Sequence, residues 1–145
     1  MKDSDTLTKN DIKFFNIAKE MSIYGENNRN IRIGAVAVLN NRVIAKGFNR
    51  YKTDPIQAKY AKYLDVDKSV LVHKSHIHAE INCLKKIANQ DIPWNKVKIY
   101  IYRPLKSREY GLCRPCKSCM RFIRDLGIKH IYYTTDIGLS HEILL

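Results

Sequence analysis

The sequence predicts an α/β protein: one domain spanning residues 1–145, with a sheet of about five strands layered with helices. Three observations carry this. After an opening helix, a hairpin is followed by helix-period and strand-like segments in alternation, the order that lays helices on a sheet. The length of 145 residues is that of one domain, enough to bury a core without staples. Hydrophobic residues make up 45% and charged residues 28%, a globular balance, and no repeat or low-complexity tract interrupts it.

Asp5 or Thr6 is expected to cap a first helix reaching Ser22, with Ile12, Phe15, Ile17, Ala18 and Met21 as its apolar stripe. "YGENNRN" reads as a loop. The runs "IGAVAVL" and "RVIAKGFN" are strand-like and flank Asn40-Asn41, a hairpin signal because asparagine tolerates positive φ. Asp54-Pro55 reads as a cap and a first-turn proline opening the helix "PIQAKYAKYL", with Ile56, Tyr60 and Leu64 on one face. From Ala79 to Asn89 the pattern is helical, burying Ile81, Leu84, Ile87 and Ala88. "KVKIYIY" is a third strand, and "RPLKSREYGLCR" a polar loop. A helix from Pro115 is ended by Gly127, "KHIYYTT" is a fourth strand, and "DIGL" turns the chain back into a short last strand, "SHEILL".

The N-terminus "MKDSDTLTKND" is polar and charged, unlike a secretory signal, and no apolar run is long enough to span a bilayer. The expected setting is a reducing cytoplasm, where clustered cysteines bind metal more often than they pair. The net charge of +12 welcomes anionic partners, phosphates above all. Scattered lysines in a chain rich in Asn, Ile and Tyr are equally the output of an AT-rich genome, so charge alone names no partner.

Two stretches carry chemistry. In "RPCKSC", Cys116 and Cys119 fall on one face of a helix's first turn, where the dipole and free N–H groups favour thiolates. Zn²⁺ takes thiolate sulfur and imidazole nitrogen in tetrahedral sites. In "SHIHAEINCL", His78 at the start of another helix supplies a third ligand, and three protein ligands leave a position for water, the mark of a catalytic zinc. Glu80 can then take a proton from that water. Alternatives remain at this level. His76 is a second histidine in the same stretch, His73 is placed to help hold a second metal, and Cys113-Cys116 has the same spacing as Cys116-Cys119, though Pro115 favours the helix-start pair. Cys83 reads as a buried thiol, and His130 and His141 as strand-associated or surface residues.

His78-Ala79-Glu80 followed by Pro115-Cys116-Lys117-Ser118-Cys119 resembles the zinc-dependent cytidine and deoxycytidylate deaminase superfamily, in particular deoxycytidylate deaminases of the phage type. The resemblance extends from Ile33 to Thr135 and includes "GFNRYKTDP" and "GIKHIYYTT". It implies a three-layer α-β-α domain with a mixed central sheet, zinc on His78, Cys116 and Cys119, and Glu80 as proton shuttle. It implies further that Asn49 contacts the nucleobase or sugar. The Ala79 N–H would lie near the base carbonyl, and the Arg114 carbonyl near the departing amine. The implied reaction is hydrolytic deamination: water activated to hydroxide on zinc attacks C4 of cytosine, ammonia leaves and uracil remains.

The substrate is less constrained. Segments 50–77 and 104–113 are insertions relative to the shortest family pattern, and they make Arg50, Lys52, Lys106, Arg108 and Tyr110 candidates for a phosphate or flanking base. The side chain of Arg114 is another. The short ending "DIGLSHEILL" resembles deaminases of free nucleosides, so a free cytosine nucleoside or nucleotide is the expected substrate, deoxycytidylate above all. Cytosine, or adenine, in single-stranded DNA or RNA is the alternative, and an inactive zinc-stabilised nucleic-acid-binding module is a second. Relatives of this kind often form homo-oligomers.

Overall fold

The computed structural model describes residues 7–26, 31–63 and 76–145. In chain order they form α1 (Lys9–Ser22), β1 (Gly34–Leu39), β2 (Arg42–Phe48), α2 (Pro55–Tyr60), α3 (Ala79–Leu84), β3 (Lys98–Tyr102), α4 (Lys117–Leu126), β4 (His130–Thr134) and β5 (Leu139–Ile143). The strands make one five-stranded sheet in the order β2-β1-β3-β4-β5. All pairs are antiparallel except β3 with β4, which run parallel and are joined through α4.

The period-2 alternation of the strands separates two cores. Ala35, Ala37, Ile99, Ile101, Ile131 and Tyr133 face one side, where α3 and α4 pack. Val36, Val38, Tyr100, Tyr102 and Tyr132 face the other, covered by Phe14, Phe15 and Ala18 of α1. The expected three-layer α-β-α arrangement with a mixed sheet is therefore observed. Asn40 and Asn41, at φ 53° and 60°, make the β1–β2 turn with both central residues left-handed, as a tight hairpin requires. Gly47 allows α3 to lie close on β2: a side-chain carbon there would stand 2.7 Å from Cys83 Cα.

Four local expectations change. The helix α1 is capped by Thr8, which shares a reciprocal capping box with Asp11. Asp5 and Thr6 lie outside the described residues. Its buried face is Phe14, Phe15 and Ala18, while Ile12 is 39% exposed and Ile17 and Met21 are half-buried. The inward direction follows the aromatics, because they fill the space over Tyr100 at ring distances of 5.4 Å. The helix α2 ends at Tyr60 and continues as a 3₁₀ turn; Tyr60 is buried and Ile56 packs partly buried against the same core, and Gln57 is buried beside them; Leu64 lies outside the described residues. The helix α3 stops at Leu84 instead of Asn89. Ile87 and Gln90 donate to carbonyls three residues back, so the chain tightens out of α geometry.

The α1 side holds a polar device within its aromatic layer. Tyr132 stacks on Tyr100 at 4.3 Å and on His141 at 4.2 Å, and His141 Nε2 lies 2.8 Å from His130 Nδ1. Tyr100 donates its hydroxyl to Asp11 Oδ1 at 2.6 Å inside the core. Burial alone would push the Asp11 carboxyl up, but Tyr100, Thr8 and the Lys98 charge outweigh it and hold it below 3.8. A depressed carboxylate stabilises the fold above its ordinary pKa, and the contribution is lost as pH falls through the folded value. Asp11→Ala is expected to cost about 2 kcal/mol at pH 7 and clearly less at pH 3, read from urea unfolding at both pH values.

Candidate metal centre and active site

Two helix starts converge. His78 is the N-cap of α3, at φ −73° and ψ 155°, and Cys116 is the N-cap of α4, at φ −66° and ψ 168°. The His78 side chain makes no capping bond to its own helix. Both side chains turn towards each other. His78 Nδ1 lies 3.2 Å from Cys119 Sγ and 3.5 Å from Cys116 Sγ. The three ligand atoms lie within 4.8 Å of one another, and they are the metal-competent group found among the described residues. A tetrahedral Zn²⁺ with thiolate and imidazole ligands needs donor separations of about 3.5 Å, so the donors fit the ion in kind and in spacing. Pro115 precedes the cap and is not inside the first turn; it biases Arg114 towards extended backbone and lets Cys116 begin the helix.

Glu80 stands in the first turn of α3, 5% exposed. Burial pushes its carboxyl up against the opposing charge of His78. The Cys116 thiol is pushed down to about 4 by the Cys119 hydrogen bond and by His78. Cys119 goes well up, because it faces that thiolate, is buried, and lies near Glu80. His78 is pushed up: contact with Cys116 and the charge of Glu80 overcome its burial. Two cysteines and a carboxylate gathered around one imidazole in a water-poor place call for a cation.

A cleft of about 320 Å³ opens onto this group, with Glu80, His78, Ala79 and Cys116 on one side and Ile31, Ile33 and Leu112 among its walls. Asn49 and Arg114 also line it. Asn49 Oδ1 accepts from the Ile33 N–H at 2.9 Å, while Nδ2 donates to the carbonyls of Ile31 and Glu26. Ala79, as the first helical residue, has an N–H with no intrahelical acceptor. The Arg114 guanidinium forms a bidentate pair with Glu142 at 3.0 Å for each bond. The expected alternatives lie outside the metal-competent group, although Cys113 and His76 line the same cleft. Cys113 is buried against Thr134 and the Ile101 carbonyl, its thiol pushed up to about 12 by burial. Cys83 is buried with its thiol likewise pushed up to about 12. His76 packs against Tyr51 with ring centroids 4.5 Å apart and the rings tilted, and lies outside the metal-competent group. His73 lies outside the described residues.

Of the loop candidates, none lines the cleft. Arg50 lies 3.6 Å from Glu26, Arg108 pairs with Asp136, Tyr110 packs on Tyr102, and Lys52 and Lys106 are exposed. One residue at the site escaped the sequence reading. Gln57, 1% exposed, accepts the His78 N–H at 2.9 Å through Oε1. The signal was present: Asp54-Pro55-Ile56-Gln57 has capping-box spacing. Asp54 does cap the helix, but the glutamine is diverted from the cap to the metal centre.

A helix-flanked mixed sheet carrying a His-Cys-Cys group defines a zinc-binding α/β domain. The chain belongs to the cytidine and deoxycytidylate deaminase family: the model of its zinc-binding region matches residues 8–135. Among curated proteins, ComE operon protein 2 of Bacillus subtilis (strain 168) is 26% identical over 110 residues, covering 73% of this chain and 49% of that protein. The chain thus spans about half the length of the curated relative it matches. The dCMP deaminase of the cyanophage S-TIM5 in apo form superposes with a TM-score of 0.61 at 20% identity, covering 90% of this chain and 86% of the other. The cytidine deaminase of Burkholderia pseudomallei gives 0.62 at 15% identity, covering 94% and 93%. At these identities the structural likeness speaks for the fold.

The geometry separates the two chelate readings. Cys119→Ala is expected to abolish the one-zinc stoichiometry, and Cys113→Ala to leave it intact, as measured by elemental analysis of purified protein; loss of zinc in the second variant alone would restore the Cys113-Cys116 chelate.

Proposed function

We propose that the chain is a zinc-dependent hydrolytic deaminase of cytosine in a free nucleoside or nucleotide, with deoxycytidylate to deoxyuridylate as the preferred conversion. The observation that carries this is Glu80: a buried carboxyl two residues from His78, lining a cleft, beside a group of three ligand side chains among the described residues. A structural zinc would want a fourth ligand and has no use for an acid beside it. His78, Cys116 and Cys119 would hold the ion. Zinc, when bound, supplies Lewis acidity that makes water acidic near neutral pH.

The chain's own groups then divide the work. Glu80, whose carboxyl burial pushes above its ordinary value, takes one proton from water and passes it to the ring nitrogen, and a second to the departing amine. Cytosine and water become uracil and ammonia. The Ala79 N–H donates to the base carbonyl oxygen, and the Arg114 carbonyl accepts from the amine. Asn49 has both amide hydrogens engaged with backbone carbonyls, so its contact with base or sugar falls to the remaining lone pair of Oδ1.

The cleft supports a small substrate. Its volume of about 320 Å³ is at the low end for ligand sites, roughly 300–1,000 Å³. Arg114 lines it and retains guanidinium donors beyond those given to Glu142, which suits a phosphate. The cyanophage enzyme of the same fold has been solved in complex with dCMP and dUMP, with a TM-score of 0.60. A second reading, cytosine within a single strand, draws on one observation. A neighbouring groove shares Arg114 and is lined by Lys117, Arg121 and Arg124, a surface compatible with a phosphodiester backbone.

Incubation of the zinc-loaded protein with deoxycytidylate, cytidine and a cytosine-bearing single-stranded oligonucleotide, followed by uracil detection, decides between them. Turnover of deoxycytidylate well above the oligonucleotide is expected; turnover of the oligonucleotide alone would replace the first reading with the second. Glu80→Ala should lower the rate by about 10²- to 10⁴-fold with zinc content unchanged, and a variant that kept its activity would remove Glu80 from the proton transfers.

A further inference from the structure

One turn of α2 holds both ends of α3. Asp54 caps that turn, its Oδ1 accepting from Ile56 and Gln57 N–H at 2.9 and 3.2 Å. Its Oδ2 accepts from Lys85 Nζ at 2.9 Å, and Lys85 is the C-cap of α3. Three residues along α2, Gln57 Oε1 accepts from the backbone N–H of His78, the N-cap of α3. The helix between those two anchors has only six residues. A helix that short does not sustain itself and takes its placement from tertiary contacts. Gln57 Nε2 is buried with no hydrogen-bond partner among the described residues. An amide buried for packing alone would be a poor choice, since an apolar side chain would fill the space without a stranded donor. Keeping it makes sense for the one bond its oxygen forms. The same helix reaches the other half of the centre: the Tyr60 hydroxyl donates to Asp125 of α4 at 2.6 Å, and its ring packs on Phe122 at 5.3 Å.

We propose that Gln57 is a positioning residue of the metal centre: by accepting the His78 N–H it sets the start of α3 so that His78 Nδ1 stands between the sulfurs of Cys116 and Cys119. The inference rests on the zinc reading of that group. A ligand displaced by half an ångström loses the fit a metal site needs, and changes in the shell behind the ligands typically lower metal affinity about 10- to 100-fold. The bond goes to the main chain of the ligand residue and not to its ring, so the lower end of that range is expected.

The test uses the full chain, with zinc affinity measured by competition against a chromophoric chelator and ligand geometry read from the absorption bands of the Co²⁺-substituted protein. Gln57→Met keeps the volume and removes the acceptor. It should weaken zinc binding about tenfold and shift the Co²⁺ bands. Gln57→Glu keeps an acceptor oxygen and should recover most of both. Tyr60→Phe, on the same helix, removes the bond to Asp125 without touching His78 and should leave affinity and bands as in the parent. If Gln57→Met does not fold, Gln57→Asn, which draws the amide back by one methylene, takes its place with the same expectation. Parent-like affinity and bands in the acceptor-removing variant would overturn the proposal, as would an equal loss in Tyr60→Phe, which would mark a general loosening of α2. Failure of the parent chain to bind zinc or Co²⁺ would overturn the metal reading itself, and the proposal with it.

Discussion

The parallel pairing of β3 with β4 is the constraint on which the rest of the site depends. The other three pairings are antiparallel, but a parallel pair needs a crossover, and here it is α4. The crossover fixes where α4 begins: beyond the carboxyl end of β3, where open α/β sheets bind their ligands. The loop that leads there is tied down by Thr134 at the carboxyl end of β4. Thr134 Oγ1 accepts from the Arg103 N–H and donates to the Gly111 carbonyl, and its own carbonyl accepts from the Cys113 N–H. By the time the chain reaches Cys116, its position relative to the sheet has been set by hydrogen bonds on both strands of the parallel pair.

The second half of the centre arrives by a different route. The helix α3 follows no strand of the parallel pair. It lies on β2 and β1, admitted by Gly47, and is held from behind by Asp54 and Gln57. The two halves meet at His78 and the cysteines, and behind them Tyr60 bonds Asp125 and packs on Phe122 of α4. The His78 side chain accordingly makes no capping bond to α3 and points across the gap to the sulfurs of Cys116 and Cys119. The same meeting explains the opposed pushes on the four titratable groups. Burial drives Glu80, and the facing Cys116 sulfur together with burial drives Cys119, towards their neutral forms while Cys119 and His78 help hold Cys116 as a thiolate, a balance that a divalent cation would resettle in favour of charge.

Much of this is legible in the sequence because it follows from local chemistry. The alternation in "KVKIYIY" separates Ile99 and Ile101 from Tyr100 and Tyr102, and those residues do face opposite layers. Asn40-Asn41 predicts its turn from side chains that tolerate positive φ. The His-Ala-Glu and Pro-Cys spacings predict which helix starts bring His78 and the two cysteines together, although the proline works one residue earlier than expected, ahead of the cap. What was not legible depends on partners far along the chain. Ile12 fits the α1 stripe as well as Phe14 does; only Tyr100, nearly ninety residues on, selects the aromatic. Gln57 breaks the apolar pattern of α2 and so reads as surface, because its reason for being buried is a backbone N–H in another helix.

The same distinction bears on how a substrate is recognised. Asn49 fits the family motif as a substrate contact, yet three of its hydrogen bonds go to backbone groups of residues 26, 31 and 33, two of which wall the cleft. It shapes the pocket before it touches anything in it. Ala79 and Arg114 are proposed to act through main-chain groups, whose placement comes from the helix starts and not from their side chains. The Arg114 side chain has its own tie, to Glu142 on β5. A base held by such groups is read by the outline of the backbone, which a motif transmits well. Sugar and phosphate extend beyond that outline, to where the expected loop cations are paired with acids or exposed away from the cleft. Arg114 is the cation that both lines the cleft and borders the basic groove beside it. Under the proposed function, the choice between a free nucleotide and a strand concentrates on how its guanidinium divides between Glu142 and a phosphate.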